Sequence, residues 1–504
     1  MHRFRSIAVS LAVGASLVAV PVALQAQESQ AAAKESDEAA EMAKQMAAAR
    51  EALVVADIWL DKYRKRNRIP AFSVAMVKGD DTLFSKGYGF TDREMTKPAR
   101  PDTIYSICSI SKLFTAVAFM QQWEKGSVRL DDTVTTHLPW ATLAPDDRES
   151  VPITMRGLLT HSAGLPRESA HPYWTGPDFP FPTQAEIRTT MAGQSPLYPA
   201  STTWQYSNLG LTLVGETVES VSGEPYGDYV STRILEPLGM ENTRPYIQSD
   251  KHGGQMAVGW GSLHEDGTRP DVALFDAKGI NPAAGFSSTV EDLARFAAWQ
   301  FRLLRTGEPE VLRASTLREM QRVHYITPDK ETTWGLGFAI YDIDGTGFVG
   351  HGGSCPGYRS TLMMNLENEF AIALAMNTME SPGAIASQLA GLLGNRKDAE
   401  EFEAPEGIEV DLSDYAGFYD SQPWGREWVI VPWAGGLASV EVSYDEPSGG
   451  IGRLKPLGDD RFRVINDEGE ERDIVTFHRK DDGSIDYIER FGNRDYFARP
   501  LAGD

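Results

Sequence analysis

Ser109 and Lys112 stand three residues apart at the head of the run YSICSISKLFTAVAFM, residues 105–120. Leu113, Phe114, Val117 and Met120 recur there at helical spacing and Gly126 follows as a stop, so the run reads as a helix with Ser109 in its first turn. A hydroxyl at that point lies where backbone N–H groups and the helix dipole favour developing negative charge. A lysine at i+3 shares the face and can take the hydroxyl proton, provided burial or nearby positive charge keeps it neutral. The chemistry is attack by an activated serine. A chain of this length and ordinary composition holds about two SxxK pairs by chance, and an isolated pair reads as a capping serine followed by an exposed lysine.

Two later stretches lower that reading. In WQYSNLGLTLVGE, Tyr206 and Asn208 place a phenol that can relay protons and an amide that can hold a substrate just before a second helical run. In GFVGHGGSCPGY, His351, Gly352 and Gly353 end a predicted strand, where glycines let a ligand approach the backbone.

SISK (109–112), YSN (206–208) and HGG (351–353), in that order and with similar gaps, resemble the three boxes of penicillin-recognising serine hydrolases. LLTHSAGLP (158–166), EPLGMENT (236–243) and AGFSSTVEDLARF (284–296) are similar to the class C β-lactamase branch, so the resemblance spans about residues 50 to 395. It implies that Ser109 is the acylated nucleophile and Lys112 its base, that Tyr206 shuttles the proton and helps activate water, and that Asn208 orients the substrate. The implied oxyanion hole is the backbone N–H of Ser109 and of Ser354, donors worth about 3 kcal/mol each. The chain departs from the branch at the third box, where Lys-Thr-Gly is usual. His351 is mostly neutral near pH 7 unless a neighbour raises its pKa, which weakens a free-carboxylate reading and favours the D-aminopeptidase and esterase pattern. No acidic residue stands out for the deacylation step that class A enzymes use. Some class A β-lactamases bridge the equivalent of Cys108 and Cys355, the chain's only cysteines, so the resemblance implies that disulfide.

Other candidates carry less. His161 reads as a brace for its loop. Tyr173, Trp174, Phe179 and Phe181 form either a lid or an ordinary packed loop. Asp342-Asp344 and Asp481-Asp482 read as hairpin turns, because EF-hand spacing is missing. GGSCPG departs from a nucleophile elbow at Pro356. No metal site and no cofactor are implied.

The elements that must position these residues follow from the pattern. AFSVAMVKG and DTLFSKGYG form a hairpin at Gly79-Asp80, helices dominate from about 130 to 322, and strands return as GFVGHGG, STLMMNL and FAIALAMN before a helix near 384–393. Strands from both ends of the domain imply an α/β fold, one antiparallel sheet flanked by helices with a helical subdomain. Beyond a charged linker at 398–410, turns at Gly435-Gly436, Gly449-Gly450, Asp459-Asp460, Glu468-Gly469 and Asp482-Gly483 predict a small all-β barrel over 411–504. That tail resembles the lipocalin-like barrel that follows this domain in D-aminopeptidase-like peptidases. Arg3 and Arg5, the apolar Ile7–Leu24 and Ala26 read as a signal peptide over 1–26, with an uncleaved anchor as the rival; 27–50 reads as a helical or frayed spacer and 51–397 as the catalytic domain. Export predicts a periplasmic or secreted protein in which two cysteines can pair.

A net charge of −23 argues against nucleic acid and anionic membranes as partners. The expected function is an exported serine hydrolase working through an acyl-enzyme on small amides or esters: D-amino-acid peptides, cell-wall fragments or esters. The alternatives are a class C-like β-lactamase or D-Ala-D-Ala carboxypeptidase, and a silent peptide- or cell-wall-binding protein. Oligomeric state is not readable from the residues.

Overall fold

The computed structural model describes residues 19–501 apart from 145–147, 171–172, 344, 424, 426, 442–445, 448 and 467. The expected signal segment lies outside the described residues over 1–18. Among the described residues no helix is long and apolar enough to cross a membrane.

Helix α1 (Ala19–Arg66) includes the expected spacer. Ala52, Val55, Ala56, Trp59 and Leu60 recur along it at three- and four-residue intervals and are all buried, which is the stripe a helix needs to lie on a sheet. Strands β1 (Ala71–Lys78) and β2 (Asp81–Gly89) then form the expected hairpin around Gly79, whose φ of +58° suits a residue without a Cβ.

A short strand, β3 (Tyr105–Cys108), comes next, and helix α2 (Ser111–Glu124) follows it. This corrects the sequence reading. YSIC is not helical, and Ser109 sits in the turn between strand and helix rather than in the first helical turn. Cys108 has φ +51°, a left-handed conformation costing a non-glycine residue about 1–2 kcal/mol, and it swings the chain out of the strand. The Ser109 carbonyl then accepts the Lys112 N–H at 3.1 Å, a tight turn leading into α2.

The helical middle supplies α3 (Asn208–Ser222), a three-residue partner for β3 in β4 (Phe286–Ser288), and α4 (Val290–Thr306). Strands β5 (Tyr325–Ile326), β6 (Thr333–Trp334), β7 (Ala339–Ile343), β8 (Thr346–Cys355), β9 (Tyr358–Asn365) and β10 (Phe370–Met376) complete an antiparallel sheet of order β2-β1-β10-β9-β8-β7-β6-β5. Pairing of β1 with β10 joins the two ends of the domain. Side chains alternate across it: Ala75 and Val77 face the core holding α2, α3 and α4, whereas Phe72, Val74 and Met76 face α1 and helix α5 (Pro382–Asp398).

The C-terminal strands β11 (Gly417–Asp420), β12 (Glu427–Trp433), β13 (Gly436–Val440), β14 (Ile451–Gly458), β15 (Arg461–Ile465), β16 (Glu471–Arg479), β17 (Ile485–Arg490) and β18 (Asn493–Arg499) close into an eight-stranded barrel. All five expected turns fall between successive strands; a sixth, Phe491-Gly492, carries positive φ at both residues and joins β17 to β18. Tyr415, Tyr419, Leu437, Leu454, Phe462 and Phe477 fill the interior. Val429, Val431 and Trp433 instead pack with Trp59, Leu60, Leu389 and Leu392, so the barrel sits on the α1–α5 side of the sheet.

The Asp pairs sit at turns. Gly345 N–H bonds to Asp342 Oδ1 between β7 and β8, and Ser484 bonds to Asp482 between β16 and β17; Asp344 lies outside the described residues.

Candidate active site

The turn after β3, the start of α3 and the end of β8 converge on an open cleft of ≈ 480 Å³ lined by Ser109, Tyr206, His351, Gly352, Gly353 and Ser354. Strand β7 pairs with β8 only as far as Gly350, so His351 to Cys355 have β9 on one side and an open edge on the other. Cys108 and Cys355 are joined in a disulfide with Cα atoms 5.7 Å apart, tying the residue before Ser109 to the residue after Ser354.

Lys112 is fully buried. Its Nζ lies 2.7 Å from Asn208 Oδ1, 2.7 Å from the Ala283 carbonyl and 3.1 Å from Ser109 Oγ. Burial holds its pKa well below the ordinary lysine value; Glu168 opposes that and Arg167 adds to it. A neutral amine has two protons and one lone pair. With both protons spent on the two short contacts, the lone pair faces the Ser109 hydroxyl.

Tyr206 is held the other way. Burial pushes its phenol up and the Ser109 hydroxyl bonded to it pulls down, and the net effect keeps it protonated. Its ring lies 4.8 Å from Lys112 Nζ on one side and 4.8 Å from the Arg167 guanidinium.

The loop from His161 to Glu168 cradles the YSN box. His161 accepts the Gln205 N–H on its carbonyl and the Ser207 N–H on Nδ1, and its ring packs 4.3 Å from that of Tyr206. Ser207 donates to the Pro166 carbonyl and caps α3 through Gly210 N–H, while Asn208 N–H reaches the Arg167 carbonyl. His161 therefore braces the tyrosine's loop as well as its own, and burial holds it neutral.

His351 donates from Nδ1 to the Gly352 carbonyl at 2.5 Å. Burial and the neighbouring Lys112 push its pKa down to about 3. It is a neutral imidazole, not a substitute for a lysine cation.

Some residues went unseen in the sequence. Glu168 Oε1 accepts the Asn208 side-chain N–H at 2.5 Å and its other oxygen takes the Tyr173 hydroxyl. Asn208, buried and with both ends of its amide engaged, does not line the cleft. Arg167 and Arg359 do, and Arg359 makes no side-chain hydrogen bond or ion pair among the described residues. The aromatic segment packs: Tyr173, Trp174 and Phe181 lie against one another, Phe179 and Phe181 lie against Phe275, and none of the four lines the cleft. Among the described residues no group of three His, Cys, Asp or Glu is placed to hold a metal ion.

An antiparallel sheet with helices on both faces, and a Ser–Lys–Tyr cluster at its open edge, define a transpeptidase-like serine hydrolase. The chain belongs to the beta-lactamase family, whose profile matches residues 56–394. It is 27% identical over 311 residues to beta-lactamase-like protein 2 of Dictyostelium discoideum and 26% over 354 residues to an unguisins hydrolase of Aspergillus campestris, matching 60 and 66% of this chain. Those matches span only 55 and 63% of the two relatives. Penicillin-binding protein 4 of Amycolatopsis lactamdurans is 25% identical over 72% of this chain and 96% of its own. Two solved structures share the fold. An octameric penicillin-binding protein homologue from Pyrococcus abyssi has a TM-score of 0.58 at 23% identity, over 88% of this chain and 98% of that one. A D-stereospecific amidohydrolase from Streptomyces has 0.54 at 23%, over 70 and 98%.

Proposed function

We propose that this chain is an exported serine hydrolase that opens small amides or esters, with D-residue peptides, cell-wall fragments and esters as candidate substrates, through an acyl-enzyme at Ser109. The observation that carries the reading is the wiring of Lys112, whose Nζ lies 2.7 Å from each of two acceptors, Asn208 Oδ1 and Ala283 O, and 3.1 Å from Ser109 Oγ, so that a neutral amine donating to both acceptors leaves its lone pair for Ser109. In acylation the Ser109 proton passes to Lys112 Nζ as Oγ attacks the carbonyl carbon. The oxyanion forms between the N–H groups of Ser109 and Ser354. Tyr206, protonated and against the hydroxyl, hands a proton to the leaving atom and regains one from the lysine side; water then attacks the ester by the reverse path.

An extended peptide laid along the open edge at 351–355 would gain main-chain hydrogen bonds, which favours short peptides among the substrates. The basic start, apolar run and Ala26 support export, and a buried disulfide fits an oxidising compartment. A second reading, β-lactamase or D-Ala-D-Ala carboxypeptidase, is favoured by Arg359, a cation in the cleft with no side-chain partner among the described residues. Complete catalytic boxes argue against a silent binder.

Intact-mass measurement with a panel of D-peptides, esters and penicillins tests this. One acyl adduct per chain, absent in Ser109→Ala, is expected. Parent and Ser109→Ala behaving alike on the whole panel overturns it.

A further inference from the structure

Glu168 is the one acidic side chain bonded to the Ser–Lys–Tyr cluster's supporting amide, and no role in the reaction has been given to it. An ionised carboxylate can only accept hydrogen bonds. Both of its oxygens do so, one from Asn208 Nδ2 at 2.5 Å and the other from the hydroxyl of Tyr173, a residue fully buried in the aromatic cluster. Turning the Asn208 amide over would set Oδ1 against this carboxylate and Nδ2 against the lysine. Glu168 forbids that, so Oδ1 faces Lys112.

We propose that Glu168 is a positioning residue of the hydrolase centre: through the Asn208 amide it dictates which way Lys112 spends its protons, and its charge sets how readily Lys112 takes a third. This rests on the reading of Lys112 as the base. Once Lys112 has taken the Ser109 proton it has three N–H donors, for Asn208 Oδ1, Ala283 O and the serine oxygen. The negative charge beyond Asn208 stabilises that ammonium. Glu168 does not itself activate water, because neither oxygen is free.

The ionisable groups around Lys112 are Glu168 and Arg167 on the cradle loop, His161 on the same loop, Tyr206 before α3 and His351 on β8. Both imidazoles are held neutral by burial and Tyr206 stays protonated, so near neutral pH only Glu168 and Arg167 place charge on the lysine. The Arg167 guanidinium opposes Glu168 and is the more exposed of the two. Removing the carboxylate charge therefore leaves Arg167 unopposed and makes Lys112 a weaker base.

The test separates charge from orientation. Glu168→Gln keeps an oxygen that can accept from Asn208 while deleting the charge; Glu168→Ala deletes both. Lys112 is titrated directly by NMR in full-length protein carrying 13C-labelled lysine, its signal assigned by its loss in Lys112→Ala, and the pH dependence of ester acylation is recorded in parallel. In Glu168→Gln the Lys112 midpoint should fall by about one pH unit, carrying the acid limb of acylation with it, with the plateau rate within tenfold of the parent. In Glu168→Ala the plateau should drop by a further ten- to hundredfold, because Asn208 is free to turn. A midpoint that stays put or rises in Glu168→Gln overturns the proposal. Lys112 titrating as expected in a parent that is never acylated leaves the wiring standing and refutes the hydrolase reading instead.

Discussion

Gly353 and Ile107 approach so closely that a Cβ on Gly353 would lie 2.2 Å from the Ile107 carbonyl oxygen. The strand that leads to Ser109 thus crosses the strand that carries His351 at a point where only a hydrogen fits, and the Cys108–Cys355 bridge clamps the crossing one residue beyond Ile107 and two beyond Gly353. Ser109 and Ser354, the two N–H groups proposed for the oxyanion, follow Ile107 by two residues and Gly353 by one. Gly353→Ala must push them apart. Overpacking of this kind costs about 1–3 kcal/mol, and loss of an aimed oxyanion donor about a hundredfold in rate. A modest fall in thermal midpoint with a collapse of the ester acylation rate is expected; acylation within a few-fold of the parent would show that the crossing does not set the hole.

His351 carries a pH prediction. With its pKa near 3 in the folded chain and near 6.5 when unfolded, the unfolded chain binds more protons between those values, so stability falls as pH is lowered from about 6.5 towards 3, by up to about 1.4 kcal/mol per pH unit. His351→Gln should flatten that slope in urea midpoints measured across the range. It should leave the position of the acid limb of acylation unchanged above pH 5, because His351 is uncharged there in the parent, whereas the limb itself follows Lys112, active only when neutral.

How much of this was legible beforehand depends on how local each contact is. Ser109 and Lys112 are three residues apart, and Cys108 and Cys355 have no competitors, so both relationships could be read from the residues and the resemblance. Most barrel turns announce themselves through glycine or paired aspartates, whereas Phe491-Gly492 puts an aromatic at a positive-φ position, which no turn preference signals. Ala283 meets Lys112 through a backbone carbonyl, which leaves no mark in residue type. Glu168 meets Asn208 across forty positions, and no local spacing marks the pairing. The strand YSIC is four residues long and its alternation is masked because both its faces are buried, so the strong helical period downstream overran it.

Arg359 bears on substrate choice. The replacement of a third-box lysine by neutral His351 removes one cation, yet this guanidinium lines the same cleft with no side-chain partner among the described residues. Paired substrates that differ only in a free C-terminal carboxylate or its amide should separate the possibilities: the parent is expected to favour the carboxylate by about tenfold, consistent with a charge-assisted hydrogen bond worth about 1.5 kcal/mol or more. Arg359→Gln should erase the preference while turning over the amide at the parental rate. Equal rates on both substrates in the parent would remove Arg359 from recognition.

One ionic node ties the barrel to two helices at once, in addition to the Lys62–Glu427 pair between α1 and β12. Arg396, with only 4% of its side chain exposed, gives Nε to Glu51 of α1 at 2.6 Å and Nη2 to Glu401 at 2.8 Å, and stands over the Trp433 ring; the same Glu51 oxygen accepts the Ala434 N–H at the β12–β13 turn. One carboxylate therefore joins α1, α5 and the barrel. Arg396→Met keeps the stem against Trp433 but strands Glu51, a loss of about 2–3 kcal/mol given that Glu51 is partly solvated. Pairing it with Glu51→Gln should recover part of that loss, the mark of a direct coupling. Arg396 lies about 21 Å along α5 from Pro382, the helix's cleft-lining first residue, and none of the described residues of the barrel lines the cleft. Ester acylation at 25 °C should accordingly stay within twofold of the parent while the denaturant midpoint falls. A large fall in rate without a change in midpoint would mean that the barrel acts on the cleft through α5.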